Sequence, residues 1–158
     1  MEQNSLNSID RKILECLQED AGLPVADIAE RVGLSKTPCW RRIRHLEESG
    51  VLRRRVALLD RDKLNLGVTV FVGVKTSKHD VKWLEEFAKV VVNFPEVMEF
   101  YRMSGDVDYM LRVVVPDIAA YDAFYQRLIQ RIDLTDVSSS FAMEEIKYTT
   151  ALPLAYAG

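Results

Sequence analysis

The chain has 158 residues, 48% of them hydrophobic and 28% charged, with a formal net charge of -3. This composition is typical of a soluble globular protein and excludes a disordered chain, while the length fits one large domain or two small ones. No apolar run approaches the roughly 20 residues of a membrane helix, and the opening residues MEQNSLNSID lack the pattern of a secretory signal, so we expect a cytoplasmic protein without a membrane partner.

Three short helices are predicted in the first fifty residues. The first covers Ile9–Leu17, where apolar residues recur at helical spacing. The second lies within Pro24–Gly33, because proline is tolerated in a first helical turn and glycine ends a helix. The third lies within Ser35–Gly50, with the serine as its N-terminal cap.

The segment after Gly50 changes character. Its run VLRRRVALLD interleaves bulky apolar residues with arginines, and it could be a wing or a strand that leads into a connector. We therefore expect a helix-turn-helix domain over residues 1–52, a linker strand over 53–66 and a second domain over 67–158.

The second domain is predicted to have the element order β-α-β-β-α-β. Its strand-like runs are VTVFVGVKT, VMEFYRMSG, DYMLRVVV and VSSSFAMEEIKYT, and its helical runs are HDVKWLEEFAKVVVNF and DIAAYDAFYQRLIQRI. Right-handed crossovers place both helices on one face of a four-stranded antiparallel sheet, which is a ferredoxin-like αβ-sandwich of the α+β class. The other face is left bare, so we expect it to bind a ligand or a second copy of the chain.

Positive charge is concentrated around the third helix. Residues 31–55 contain eight basic and two acidic side chains, whereas residues 66–158 contain nine basic and thirteen acidic ones. A basic segment attached to an acidic body is the asymmetry expected of a DNA-binding domain joined to a domain with another task.

The second and third helices have the lengths of a helix-turn-helix, whose second helix presents its N-terminal half to the major groove. Arginine can pair with a guanine edge, and threonine offers both a hydroxyl and a methyl group. The residues predicted to contact double-stranded DNA are Ser35, Lys36, Thr37, Trp40, Arg41, Arg42 and Arg44.

These basic and aromatic residues also have simpler interpretations. The arginines of the third helix could form only a solvated face, and Trp40 could be a packing residue. The run Arg53–Arg55 is expected to meet phosphate rather than bases, or else to line a subunit contact.

The chain closely resembles the Lrp/AsnC family, the feast/famine transcriptional regulators of bacteria and archaea, over nearly its whole length. The segments that carry the resemblance, in chain order, are IDRKILECLQEDA, SKTPCWRRIRHLEESGVL, ALLDRDKLNLG, SGDVDYMLRVVVPD and SSSFAMEEIKYTTALPL. Within the family, the chain looks most like the subgroup that contains the cysteine-responsive detoxification regulator of enteric bacteria.

The resemblance implies a winged-type helix-turn-helix followed by an αβ-sandwich of the regulation of amino acid metabolism type. It implies homodimers formed through the sheets, often assembled as an octamer of four dimers, that bind near-palindromic promoter sites. It also implies an effector, typically an amino acid, bound at contacts between dimers. Cysteine is the first candidate for this chain, beside leucine or methionine.

By the same resemblance, the effector pocket includes the turn Ser104–Tyr109 and neighbouring strand positions. Glycine permits a tight turn, an acidic group can receive a ligand ammonium, and an arginine can pair with a ligand carboxylate. The residues assigned to this site are Arg102, Met103, Gly105, Asp106, Asp108, Tyr109, Ser138, Ser139 and Ser140. Without the resemblance, a structural β-turn is the simpler interpretation.

Two other functions compete with this one. An enzyme is disfavoured, because neither His45 nor His79 is spaced to pair with a nucleophile or to form a metal site, and no cofactor is expected. Cys16 and Cys39 fall on inward helix faces, so we expect them in the core rather than at a redox or metal site. The remaining alternative is an oligomeric amino-acid-binding protein whose N-terminal helices serve assembly rather than DNA reading.

Overall fold

The computed structural model describes residues 6–77 and 81–157. The chain divides into two compact units, one containing the residues up to Leu58 together with those from Lys147 onward, the other containing Leu59–Ile146. The chain therefore passes from one unit to the other twice. The expected division at 1–52, 53–66 and 67–158 differs from this one chiefly at the C-terminal end, which belongs to the helical unit.

The first unit contains helices α1 (Ser8–Glu19), α2 (Val25–Val32) and α3 (Lys36–Glu48). The side chain of Asn7 caps α1 by accepting hydrogen bonds from the backbone N–H groups of Ile9 and Asp10. Gly33 ends α2 in a left-handed conformation with φ of 73°, which costs glycine no steric strain. These are the three helices that the sequence predicts.

One apolar stripe from each helix forms the core of the first unit. A helix buries residues three and four positions apart, and the buried positions follow that spacing. They are Ile13, Leu14, Leu17, Ile28, Ala29, Val32, Cys39, Ile43 and Leu46.

The C-terminal segment also packs on this helical unit. The side-chain amide of Gln18 in α1 accepts from the backbone N–H of Leu152 at 2.7 Å and donates to its carbonyl at 3.2 Å. Leu154, at the start of a short 3-10 helix, packs against the helical core. The sequence prediction instead assigned these residues to the second domain.

The second unit contains strands β1 (Val68–Lys75), β2 (Val97–Arg102), β3 (Tyr109–Val115) and β4 (Asp136–Phe141), with helices α4 (Val81–Val91) and α5 (Ile118–Ile129). The strand order is β2-β3-β1-β4, and every neighbouring pair is antiparallel. Both helices pack on the same strand residues, as Phe87 and Phe124 share a core with Val72 and Leu111. The predicted β-α-β-β-α-β sandwich is confirmed.

The opposite face of the sheet, called here the open face, is covered by neither of the helices described in the second unit. It presents Phe71, which is 41% exposed, and Tyr101, which is 52% exposed. Between them, Arg112 forms an ion pair with Glu99 at 2.8 Å. The sequence prediction of one bare sheet face agrees with this arrangement.

The connector differs from the sequence prediction. Residues 53–66 contain no strand and end in a turn over 61–65, and the last strand stops at Phe141 rather than continuing to Thr149. A strand needs a neighbour to take its backbone hydrogen bonds. Neither segment has such a neighbour among the described residues, so the alternating apolar pattern alone does not make it a strand.

Candidate DNA-binding surface and effector site

Helix α3 is held in the first unit by one face and leaves its other face open. Cys39, Ile43 and Leu46 are buried in the helical core. Ser35 occupies the N-cap position, but its side chain makes no capping hydrogen bond. Its hydroxyl is therefore not committed to the helix end, which differs from the predicted capping role and leaves it able to donate to an anion.

The N-terminal half of the exposed face carries several of the predicted DNA-contacting residues. Lys36, Thr37 and Arg41 are exposed, and Trp40 is 51% exposed. In the described part of the chain, the side chains of Lys36 and Arg41 take part in no hydrogen bond or ion pair. Two unpaired cations and an exposed indole next to a helix N-terminus form a surface suited to phosphate and base edges.

Arg44 lies one turn further along the same face. It pairs with Glu48 at 3.3 Å and with Glu47 at 3.9 Å, and its guanidinium carbon lies 6.0 Å from the centroid of the Trp40 ring. Ion pairs this exposed contribute little and exchange readily, so a phosphate or a base can replace the glutamates.

Arg42 and Arg55 are engaged within the unit. Arg42 pairs with Asp10 of α1 at 2.8 Å, and Arg55 pairs with Glu47 at 3.2 Å. The predicted DNA-contacting residues thus fall into two groups. Most lie on the exposed face of α3, whereas Arg42 lies between α3 and α1. Arg53 and Arg54 are exposed beyond the end of α3.

The two cysteines belong to the helical unit. Cys39 is fully buried and Cys16 is partly buried. Burial, and to a lesser degree the neighbouring Cys16, raises the pKa of the Cys39 thiol. A thiol with a raised pKa is a poor nucleophile at neutral pH, which agrees with the predicted core role.

The turn between β2 and β3 contains four of the predicted effector-binding residues: Met103, Gly105, Asp106 and Asp108. Gly105 sits at φ of 123°, a conformation that favours glycine. The carboxylate of Asp108 accepts a hydrogen bond from the backbone N–H of Thr76 at 2.8 Å, and the Asp108 N–H donates to the carbonyl of Val74 at 3.0 Å. Asp108 therefore holds the turn against the end of β1.

The other charged residues of the turn are more exposed. The Asp106 carboxylate points into solvent, with the Lys75 ammonium 4.0 Å away. Arg102 and Met103 are exposed at the end of β2. Asp106 and Arg102 are thus exposed, with Arg102 in register with Tyr109, whereas the Asp108 carboxylate is hydrogen-bonded to the end of β1.

Gly73, in the middle of β1, was not predicted as a site residue. A Cβ placed there would lie 2.8 Å from the Ser138 hydroxyl oxygen and 3.0 Å from a methyl carbon of Val107. Only glycine lets the Val107 end of the turn and the start of β4 approach so closely. A lone glycine inside an apolar strand is the sequence signal that could have identified this position.

The three serines of β4 do not share one face. Register pairs Ser138 with Gly73 and Ser140 with Phe71, which places these two on the open face. Ser139 alternates to the helix side, where its hydroxyl is hydrogen-bonded to Tyr121. Burial raises the pKa of Tyr121, and that hydrogen bond partly opposes the effect.

Tyr109 also faces the helices. Its ring lies 5.7 Å from Trp83 and 5.4 Å from Phe87, centroid to centroid, and the residue is 5% exposed. The structure therefore brings Val107 of the turn and Ser138 together around Gly73, and places Ser140 further along the same face of β4. It does not bring the side chains of Tyr109 and Ser139 to that place.

The open face also carries the ion pair between Glu99 and Arg112. The hydrogen bond from Arg112 lowers the pKa of Glu99, against a smaller opposing effect of burial. Tyr101 donates its hydroxyl to the same carboxylate at 3.1 Å, and this bond raises the pKa of Tyr101. A face that combines aromatic rings with a satisfied ion pair can be covered by another surface without leaving a charge unpaired.

Residues 6–77 and 81–157 contain neither a metal-binding cluster nor a membrane-spanning helix. No cluster of three or more His, Cys, Asp or Glu side chains there is arranged to hold a metal ion. None of the helices there is long and apolar enough to cross a membrane. His45 is exposed on α3, and His79 lies outside the described residues.

Two family models match the chain. Residues 6–53 match a winged helix-turn-helix DNA-binding domain, and residues 69–152 match the Lrp/AsnC ligand-binding domain. Together they cover both units described above.

Similar proteins have the same two-part organisation. The chain is 67% identical to an AsnC family transcriptional regulator from Agrobacterium tumefaciens, with a TM-score of 0.94 and coverage of 96% of this chain and 99% of that one. It is 51% identical over 150 residues to the DNA-binding transcriptional activator DecR of Escherichia coli, covering 94% of this chain and 99% of DecR. The predicted likeness to a regulator of enteric bacteria is confirmed.

A third relative was solved with a ligand. It is a transcriptional regulator from Neisseria meningitidis in complex with L-Met, 38% identical, with a TM-score of 0.90 and coverage of 94% of this chain and 97% of that one. All three of these relatives are transcriptional regulators, in agreement with the expectation that the chain is not an enzyme.

Proposed function

The chain belongs to the Lrp/AsnC family of DNA-binding transcriptional regulators, and from that premise we propose that it reads a specific operator with α3 and responds to an amino acid bound in its second unit. The observation that carries the first half is the exposed face of α3, where Lys36 and Arg41 have no partner among the described residues. The site of action of such a regulator is the cytoplasm, where the chromosome lies.

The DNA-contacting residues are assigned by chemistry. Arg41 and Arg44 have the geometry to pair with guanine edges, and Thr37 can contact a thymine methyl group or a phosphate. Ser35 and Lys36, at the helix N-terminus, bind phosphate, while Trp40 packs against the sugar or a methyl group. Arg53 and Arg54 extend the phosphate contacts beyond the helix.

The open face is proposed to form the homodimer. Phe71 and Tyr101 are large side chains whose exposure is removed when two sheets pack face to face. A two-fold dimer places two copies of α3 on one duplex, which fits a near-palindromic site. Assembly of four dimers into an octamer is the further expectation from the family resemblance.

The effector site is proposed at the edge of the open face where the turn approaches Ser138, with Ser140 two residues further along the same face of β4. Asp106 is proposed to receive the ammonium group of an amino acid. Arg102, the proposed partner of its carboxylate, pairs in register with the helix-facing Tyr109 and has to reach the site around the end of β2. The likeness to a regulator solved with L-Met supports an amino-acid ligand. Cysteine, leucine and methionine are the candidates to test first.

The DNA-binding half is tested by selecting duplexes from a randomised library with the wild-type protein and measuring affinity against salt. We expect the selected duplex to bind at least about 1,000-fold more tightly than a random one, with a steep loss of affinity as salt rises. Equal, salt-insensitive binding to both duplexes would favour the alternative, in which the helical unit serves assembly alone.

The effector half is tested by titrating the twenty amino acids in a calorimeter and repeating the measurement with Asp106→Ala and Arg102→Ala. We expect one or a few amino acids to bind, and each variant to weaken that binding. Unchanged binding in both variants would remove these residues from the pocket.

A further inference from the structure

Arg42 lies apart from Arg41 and Arg44 around the axis of α3. At about 100° per residue, Thr37, Trp40, Arg41 and Arg44 fall within an arc of roughly 100° on the side away from the buried stripe. Arg42 lies about 100° beyond Arg41, on the flank next to that stripe. Its side chain therefore leaves the helix toward α1 rather than toward the exposed face.

The partner of Arg42 is fixed in place by the start of α1. The Asp10 carboxylate receives the guanidinium at 2.8 Å, and the Asp10 side chain is only 14% exposed, against 35% for Arg42. The Asp10 backbone N–H donates to the Asn7 cap at 2.9 Å. A carboxylate in the first turn of a helix is also favoured by the helix dipole. The acceptor is thus rigid and mostly enclosed.

The Arg42–Asp10 and Arg44–Glu48 ion pairs differ in the free energy that their opening would cost. Arg44 and Glu48 are on one helix, with side chains 53% and 65% exposed, and water can replace either partner. If Arg42 turned to a phosphate, Asp10 would remain mostly buried without a counter-charge, which is strongly unfavourable. Arg42 is therefore poorly available to DNA.

We propose that Arg42 is a positioning residue, which holds α3 against α1 through Asp10 and so sets the angle at which Arg41 and Trp40 meet the major groove. The inference rests on the proposed DNA-reading function and assigns Arg42 no contact with DNA. The side chains of a recognition surface must be held to within about 0.5 Å and 10–20° of their working positions. The ion pair between Arg42 of α3 and Asp10 of α1 limits rotation of α3 about its axis.

The test is a double-mutant cycle on the selected duplex and on a random one. Arg42→Gln and Asp10→Asn should each weaken binding to the selected duplex by about tenfold, and the double variant should be no weaker than either single one, because both remove the same tie. Binding to the random duplex should change less. Asp27→Asn is the matched control, since it removes a carboxylate from the first turn of α2 that has no ion pair among the described residues.

The salt dependence separates positioning from contact. Arg42→Gln should leave the slope of log affinity against log salt unchanged, whereas Lys36→Ala, which removes a proposed phosphate contact, should reduce it by about one. A phosphate contact at Arg42 predicts the reverse: a shallower slope, equal losses on both duplexes, and unchanged or tighter binding in Asp10→Asn, which removes a negative charge. Any of those three results overturns the proposal.

A milder variant guards against loss of folding. Arg42→Lys keeps the charge and should bind within about threefold of wild type beside Asp10, but should lose about tenfold when Asp10→Asn is added. Equal binding of Arg42→Lys in both backgrounds overturns the proposal. If the wild-type chain does not prefer the selected duplex, the proposed DNA-reading function is overturned. If the wild type is selective but Asp10→Asn and Asp27→Asn bind the selected duplex with equal affinity, only the positioning role of Arg42 is overturned.

Discussion

The exposed face of α3 and the edge of the open face are both candidate recognition surfaces, but they are built differently. On α3 one continuous segment supplies the side chains, and helical spacing alone decides which of them face outward. At the sheet edge the groups come from a turn and two strands, and the register between strands decides which side chains meet. A surface made by one helix is therefore more robust to local change than one made by several strands.

The largest expected effect concerns Tyr109, which the family resemblance assigns to the effector site and whose ring the structure places in the core. Tyr109→Ala should reduce the free energy of unfolding by about 3 kcal/mol, because it removes a ring packed between Trp83 and Phe87. Tyr109→Phe should bind the effector as wild type does. Chemical denaturation and calorimetry measure the two quantities, and loss of effector binding in a stable Tyr109→Phe variant would return Tyr109 to the site.

The next effect tests whether the exposed face of α3 can be changed without altering stability or effector binding. Arg41→Ala should weaken binding to the selected duplex by about 1–3 kcal/mol if Arg41 contacts a base edge. Unfolding and effector binding should not change, because the side chain is exposed and has no partner among the described residues. Arg131→Ala, an exposed arginine of the second unit, is the control in the anisotropy titration. Equal losses in the two variants would mean that only overall charge matters.

A smaller effect is expected from Gly73, where the sheet edge depends on a close approach. Gly73→Ala should cost about 1 kcal/mol of stability and weaken effector binding, because the new methyl group displaces Ser138 or Val107. Adding Val107→Ala should recover part of both losses. In Gly67→Ala the nearest atom to the new Cβ lies at 3.6 Å, an ordinary contact, so that variant serves as the control in thermal unfolding and calorimetry. Identical behaviour of the two glycine variants would show that the approach at Gly73 has no role.

The smallest effect concerns pH and the open face. The pKa of Glu99 is lowered in the folded chain, so its contribution to stability is complete above the ordinary value of about 4.5 and is lost as pH falls through the lower folded value. The pair is partly exposed, so the loss should be below about 1 kcal/mol. Glu99→Gln should remove that part of the acid sensitivity in denaturant titrations. An equally steep acid loss in Glu99→Gln would assign it to other carboxylates.

The fold and the exposed face of α3 were predictable because both depend on local periodicity. Cys39, Ile43 and Leu46 recur at spacings of three and four, which assigns the buried face without any structure. The ion pair of Arg42 was not predictable in this way, since its partner lies 32 residues earlier in the chain. Helical angles alone could still have set Arg42 apart from Arg41.

The effector region was less predictable for the same reason. Ser138, Ser139 and Ser140 are adjacent in sequence, but strand alternation sends the middle one to the other face. The apolar residues at Val137 and Phe141 carry that signal, because they place every second position toward the helices. Residues 53–66 were predicted as a strand and contain none. Their alternating pattern suits a strand, but a pattern within one segment does not reveal whether another strand is available to pair with it.

The hydrogen bonds of Leu152 to Gln18 and the packing of Leu154 on the helical core bear on the order of synthesis. The ribosome delivers the three helices first, but residues from Lys147 onward, which belong to the same unit, are made only after residues 59–146. A nascent chain therefore cannot complete the helical unit until the second unit has been translated. Any truncated translation product would lack the segment that docks on Gln18, so incomplete chains would differ from the mature regulator in the very part that reads DNA.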